Sequence, residues 1–256
     1  MDYPSNTPGG LYMADHKVQI LAGNVLLNSY TFDFDMFKMQ FYDDWKIEIE
    51  EDANEFVYEF KIGEVSIACM LVPAPKDGVA ECGANNYSWK GAAEAAAAHV
   101  AHVEVGVMDC EHPLRRHVLN TMVVSSMLKQ DNVIGYQQYP TVHNPYDYIE
   151  GAKVLKKDEF PITLWVYIGL YKNAKGTFNC YTYGMDQFDK EELEIVDTDQ
   201  GLVEMYKFMV QIVTYLIAND DVVEAGNRIG SDEEHSYMVT RSEAAAFEGE
   251  SLKIAF

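Results

Sequence analysis

The side chains best suited to chemistry crowd between positions 99 and 117: His99, His102, Glu104, Cys110, His112 and His117. Imidazole, thiolate and carboxylate are the groups that hold zinc or iron when three or four of them converge. His99 and His102, three apart at a predicted helix end, have the spacing to share a metal, with His112 or Cys110 as a third ligand. Against this, no HExxH arrangement is present. His102 and Glu104 fall on the strand face opposite Val103, Val105 and Val107, while His112 and His117 flank a separate helix start. Ligands would have to converge across two elements, so no metal and no other cofactor is assigned. In the plainer reading, His99 sits at the negative end of a helix dipole and the others are exposed or hydrogen-bonded.

A second group is carboxylic. Glu192 and Glu194 alternate in a short strand-like stretch, which places both on one face. Paired carboxylates divide acid and base roles when their environments separate their pKa values. In a chain with 41 acidic residues, chance pairs on a solvated face are frequent. No GxSxG, P-loop or GxGxxG is present, and Gly226–Gly230 is too short and wrongly placed to cradle a phosphate. Cys82 and His99 would suit a thiol nucleophile only if folding brought them together. No motif fixes a reaction, so the reading leans away from an enzyme and assigns no catalytic residue.

The elements that must position these groups follow from periodicity. Residues 1–17 are rich in Pro, Gly and Asn and read as an irregular arm. Val18–Leu27 is a strand candidate, and Thr31–Asp33 starts a helix whose Phe34, Phe37, Phe41 and Trp45 form a core-facing stripe. An acidic connector, Glu48–Glu55, leads into a hairpin, Phe56–Ile62 with Val65–Leu71, ended by Pro73 and Pro75. Pro75–Ser88 is a loop of a length that is often functional. Ser88 then caps a helix through Trp89 and Ala92–Ala98, followed by a strand at Val103–Val107. Pro113 opens a connecting helix. After it come a strand at Val133–Tyr139, a helix from Asn144 to Lys156 and a hairpin over Phe160–Met185. The helix Leu202–Leu216 is the clearest in the chain, and strand candidates close it at Tyr237–Thr240 and Leu252–Phe256. The order β-α-β-β-α-β occurs twice. The expected fold class is therefore α+β: two tandem βαββαβ ferredoxin-like (split βαβ) units, at 18–110 and 131–256, joined by a helix at 111–130, with antiparallel sheets covered by helices.

In the second half the residues resemble a known family. Leu164-Trp165-Val166, Tyr181-Thr182-Tyr183-Gly184-Met185, Glu192-Leu193-Glu194-Ile195, the Leu202–Leu216 helix and Gly226-Asn227-Arg228-Ile229-Gly230 carry the resemblance. Val72-Pro73-Ala74-Pro75, Trp89 and His99-Val100-Ala101-His102 extend it, so that it covers residues 20 to 256. The chain is similar in these respects to the bacterial family termed domain of unknown function 4261. It departs at Asn227-Arg228, where the family more often shows an acidic residue and Thr, and its acid-rich inserts are heavier. The family has no established activity, so the resemblance implies a fold and a bacterial origin and transfers no catalytic residue. Relatives placed among toxin-immunity and secretion-system genes imply a binding role.

Charge bears on the class of partner. A net charge of −22 repels nucleic acid and anionic membrane, and it draws in a basic partner. The N-terminus shows no signal peptide and no segment reaches the ~20 apolar residues of a membrane helix, which leads to an expected cytoplasmic location. The four cysteines form no CxxC pair and read as reduced packing residues. Acids concentrate at 43–64, 186–199 and 220–234. The expected function is thus a non-catalytic, immunity-type protein that neutralises a basic toxin or effector. Asp186, Asp189, Glu191, Glu192 and Glu194 would form its docking surface, with Trp165 and Tyr181 at the rim. The alternative is an enzyme or small-molecule binder using the Pro75–Ser88 loop with Trp89, His99, His102 and Glu104.

Overall fold

The computed structural model describes residues 20–52, 57–230 and 236–256. The arm at 1–17, Phe56 and part of the third acid-rich stretch lie outside the described residues. A seven-stranded sheet contains β1 (Leu21–Leu27), β2 (Glu50–Asp52), β3 (Tyr58–Ile62), β4 (Val65–Val72), β5 (Ala101–Met108), β6 (Val133–Gln138) and β7 (Thr141–His143). Its order is β2-β3-β4-β5-β1-β6-β7, every neighbouring pair antiparallel. Strict alternation sets its faces: Ala101, Val103, Val105 and Val107 of β5 enter the main core with Ile67 and Cys69 of β4. Against that face lie α1 (Phe34–Trp45) and α4 (Pro113–Met127). Asp33 caps α1 by accepting from the Met36 N–H at 2.8 Å, and Phe37 and Phe41 bury the expected aromatic stripe. Two short helices, α2 (Val79–Ala84) and α3 (Ala92–Ala97), cover one end of the opposite face through Val79, Cys82 and Ala96 against Leu26 and Val142. Alanine lets them come close: a Cβ on Gly83 would stand 2.7 Å from the Ala93 backbone.

The second sheet has six strands: β8 (Tyr167–Lys172), β9 (Phe178–Tyr183), β10 (Leu193–Thr198), β11 (Arg228–Gly230), β12 (Ser236–Glu243) and β13 (Glu250–Ile254). They run in the order β11-β12-β13-β10-β9-β8. The β8–β9 hairpin turns at Asn173–Gly176, with Gly176 at φ 92° as the turn requires. Three further helices complete the chain: α5 (Pro145–Ala152), α6 (Ile162–Trp165) and α7 (Leu202–Ala218). α7 buries Met205, Met209, Ile212, Val213, Leu216 and Ile217, the face its 3.6 period foretells. One apolar core runs from Val25 and Phe37 through Met127 and Trp165 to Leu193 and Leu252, so both sheets share it.

The α+β class stands, and the strand order departs from the expected topology. In a split βαβ, a third strand is inserted between two strands that a helix joins. Here β4 and β5, joined by α2 and α3, are immediate antiparallel neighbours. Element order along a chain does not specify lateral pairing, which is why the pattern misled. β6, expected to open a second unit, pairs with β1 in the first sheet. The second sheet is not wholly antiparallel, because β10 and β13 run parallel. The acidic connector contains β2, an edge strand, where carboxylates are tolerated and discourage further pairing. Ile162–Trp165 coils into a helical turn instead of extending, closed by Val166 N–H to Ile162 C=O at 2.9 Å. That turn allows the Trp165 indole N–H to reach Thr121 Oγ1 at 2.7 Å, a tertiary bond that overrides the period-2 pattern.

Candidate functional site

In the histidine stretch, His99 and His102 are tied to the backbone of neighbouring segments. His99 is buried, its Nδ1–H donating to the Ala96 carbonyl and its Nε2 accepting from the Lys76 N–H at 2.7 Å. His102 Nδ1–H donates to the Ala74 carbonyl at 2.9 Å, and its Nε2 stands 3.5 Å from Glu104. Lys76 Nζ bonds Glu104 at 2.7 Å and holds that carboxyl below the usual carboxylate range. Both rings therefore pin the segment after β4. Trp89 is half-buried against the small cluster around Leu26. His112 is the exposed residue before α4, whereas His117 is buried on that helix, stacked on Phe188 at 4.1 Å. Among the described residues no group of three His, Cys, Asp or Glu side chains is placed to hold a metal. The four cysteines are free and buried, and burial pushes the Cys82 thiol up, away from a nucleophilic thiolate.

The carboxylates divide. Glu194 is only 1% exposed; it pairs with Lys253 and accepts from Ser251 Oγ and from the backbone of Ala245 and Ala246. Glu192 accepts from Thr182 Oγ1 at 2.6 Å and from the N–H groups of Gly184 and Met185. Burial pushes its carboxyl up, while those hydrogen bonds pull it down. Trp165 is buried, and Tyr181 is half-buried with its ring over Gly169. Of the docking residues expected from the sequence, Asp186, Asp189 and Glu191 are exposed, the last paired with Arg241. Glu194 and Trp165 are core groups.

The structure assembles a different site. β7 ends the first sheet and β8 ends the second, and between these two edges lies a cleft of about 380 Å³. The chain after α2 straps it on both sides. Asn85 Nδ2 donates to Pro140 O and Asn86 Nδ2 to Val142 O, both at 2.8 Å. Across the cleft, Tyr87 OH donates to Ile168 O, and Tyr167 OH returns to Asn85 O, both at 3.0 Å. Asn86 Oδ1 accepts from Ser88 and Trp89, which fixes the strap's shape. Asn86 and Tyr87 thereby supply donors to carbonyls of the two edge strands, Val142 of β7 and Ile168 of β8.

Deep in the cleft the β6–β7 hairpin and α5 present Gln138, Thr141, His143 and Tyr148. Gln138 Oε1 and Thr141 Oγ1 are buried and have no hydrogen-bond partner among the described residues. His143 packs against Tyr136, with ring centroids 6.2 Å apart, and Tyr148, at 5.4 Å, and the two tyrosines meet each other at 5.1 Å. Burial pushes its imidazole down to about 4, so it is neutral at physiological pH. Asn144 caps α5 by accepting from the Tyr146 N–H at 2.9 Å, and this sets Asp147 in the first turn at the cleft wall. Buried polar atoms are normally paired, so unpaired ones facing a cavity mark a place where something else supplies the bond.

A second depression, about 630 Å³, lies on the open face of the first sheet beside Ala22, Ala68, Gly106 and Met70. Four of its polar side chains are matched to one another, Asn24 to Gln137 at 2.5 Å and Lys76 to Glu104, and among the described residues it has no buried unpartnered polar atom like those of the cleft. The smaller cleft is therefore the better site. Sequence reasoning had flagged its strap, since Asn85–Ser88 end the Pro75–Ser88 loop. It missed Gln138, on the predicted strand Val133–Tyr139, Thr141 and His143, between that strand and the next helix, and Tyr148, on the predicted helix from Asn144 to Lys156.

No curated protein and no solved structure matches the chain. The family model described as Domain of unknown function (DUF4261) matches residues 181–255, which run from β9 through β13, and over those residues the chain resembles that family.

Proposed function

We propose that this chain is a binding protein that takes a small molecule into the cleft between its two sheets. One observation carries the reading: Gln138 Oε1 and Thr141 Oγ1 are buried, unpartnered among the described residues, and line a cavity within the ~300–1,000 Å³ range of ligand pockets. Paired edges, a preformed strap and neutral His143 give such a ligand a rigid seat. The test is a ligand-observed NMR fragment screen on the wild type and on Thr163→Trp, an exposed cleft position where an indole fills the cavity without touching the core. Fragments that bind the wild type and are lost from the filled variant support the reading; hits that ignore the substitution defeat it.

A second reading is the immunity-type one, a bacterial cytoplasmic protein that docks a basic toxin. It draws on the Lys190–Asp220 bond at 3.1 Å, which brings the acids after β9 beside the end of α7. Asp186, Asp189, Glu191 and Asp220 then share one corner. A pull-down at low and high salt separates the two: a basic protein retained only at low salt, through Asp186 and Asp189, favours docking.

A further inference from the structure

The lining of the cleft also bears on ligand class, an inference that rests on the binding reading above. We propose that the cleft takes a small organic cation, an amine or guanidinium, with its N–H groups donating to Gln138 Oε1 and Thr141 Oγ1. Three features converge on this. The deep unpartnered groups include an amide oxygen, which only accepts, and a hydroxyl, which accepts as readily as it donates. The charged side chain that lines the cavity is a carboxylate, Asp147, and no Lys or Arg is among its described lining residues. The rim is phenolic. Tyr87 meets Tyr167 with ring centroids 6.4 Å apart and Tyr206 at 6.3 Å, and all three line the cleft. Tyrosine faces attract cations through the ring quadrupole.

An anion in this site would face Asp147, Gln138 Oε1 and a neutral imidazole with no cation to neutralise it, so burial would be strongly unfavourable. A cation finds acceptors at depth, a carboxylate on the wall and π faces at the mouth. The net charge of −22 acts in the same direction over longer range, concentrating cations near the surface and repelling phosphates.

Calorimetric titration with agmatine and spermidine, against adenosine and AMP as neutral and anionic controls, tests the assignment. The expected result is saturable binding of agmatine or spermidine that weakens as salt rises. Gln138→Leu and Thr141→Val should each reduce that affinity about tenfold or more, since a hydrogen bond to a charged group is lost. Neither should lower the melting temperature of the free protein, because neither side chain has a partner to lose; a merely structural role would lower it. Asp147→Asn, at an exposed position, gives the same loss of affinity should either core variant fail to fold. Adenosine or AMP binding while both cations fail overturns the class and leaves the cleft reading intact. If neither cation binds, yet fragments are still lost from Thr163→Trp, the class is likewise overturned. If Thr163→Trp also changes nothing, the cleft reading falls with it.

Discussion

At the scale of single residues, burial divides groups that look alike in the sequence. Glu191 and Glu194 are both acids in one stretch, yet Glu191 is an exposed partner of Arg241 and Glu194 is sealed with Lys253, Ser251 and two backbone amides. Removing one member of a buried pair strands the other without solvent. Glu194→Ala should therefore destabilise the fold by about 3–5 kcal/mol, and Glu191→Ala by less than about 1 kcal/mol, read from urea unfolding midpoints. His117 gives a pH dependence. Its Nδ1–H donates to Pro113 O at 2.9 Å, and burial pushes the ring from its ordinary 6.5 down to about 4. Above pH 6.5 neither the folded nor the unfolded chain protonates it. As pH falls from 6.5 towards 4, the unfolded chain takes up the proton first and stability is lost, by on the order of 3 kcal/mol. His117→Phe should remove that share of the acid sensitivity between pH 7 and pH 4.5 in urea titrations. His143, displaced in the same direction, retains its own.

At the scale of elements, close approach decides as much as propensity. Gly169 of β8 faces Tyr181 of β9, and a Cβ there would sit 2.1 Å from the phenol ring. Gly169→Ala should displace the ring and cost about 1–3 kcal/mol, seen as a lower urea midpoint with unchanged slope. The sequence was most legible where periodicity alone suffices. α1, α4, α7, the β3–β4 hairpin and the β8–β9 turn lie where alternation, Asp33, Pro113 and Asn173–Gly176 placed them. It was least legible where tertiary contacts rule. Ile162–Trp165 alternates like a strand yet coils to satisfy the Trp165 indole, and β6 looks as though it begins a second unit yet pairs with β1. The histidines illustrate the same limit. Spacing suggested that His99 and His102 could share an ion, but whether two rings face a common point or two carbonyls depends on the chain segment laid across them. His143 carried no pattern, because its place in the cleft depends on residues 163–168 beside the second sheet, which periodicity does not bring next to it.

At the scale of the molecule, two sheets meet over one core and leave a gap where their edge strands come together, bridged by the Asn85–Ser88 strap. The central claim is that this gap, rather than the His99–His102 segment, is where the protein binds. Its most direct measurement is side-chain NMR of the histidine rings during titration with the fragment hits or agmatine. The account predicts that His143 ring signals move to saturation while those of His99 and His102 stay fixed. Saturating shifts at His99 and His102 with His143 unmoved would contradict it.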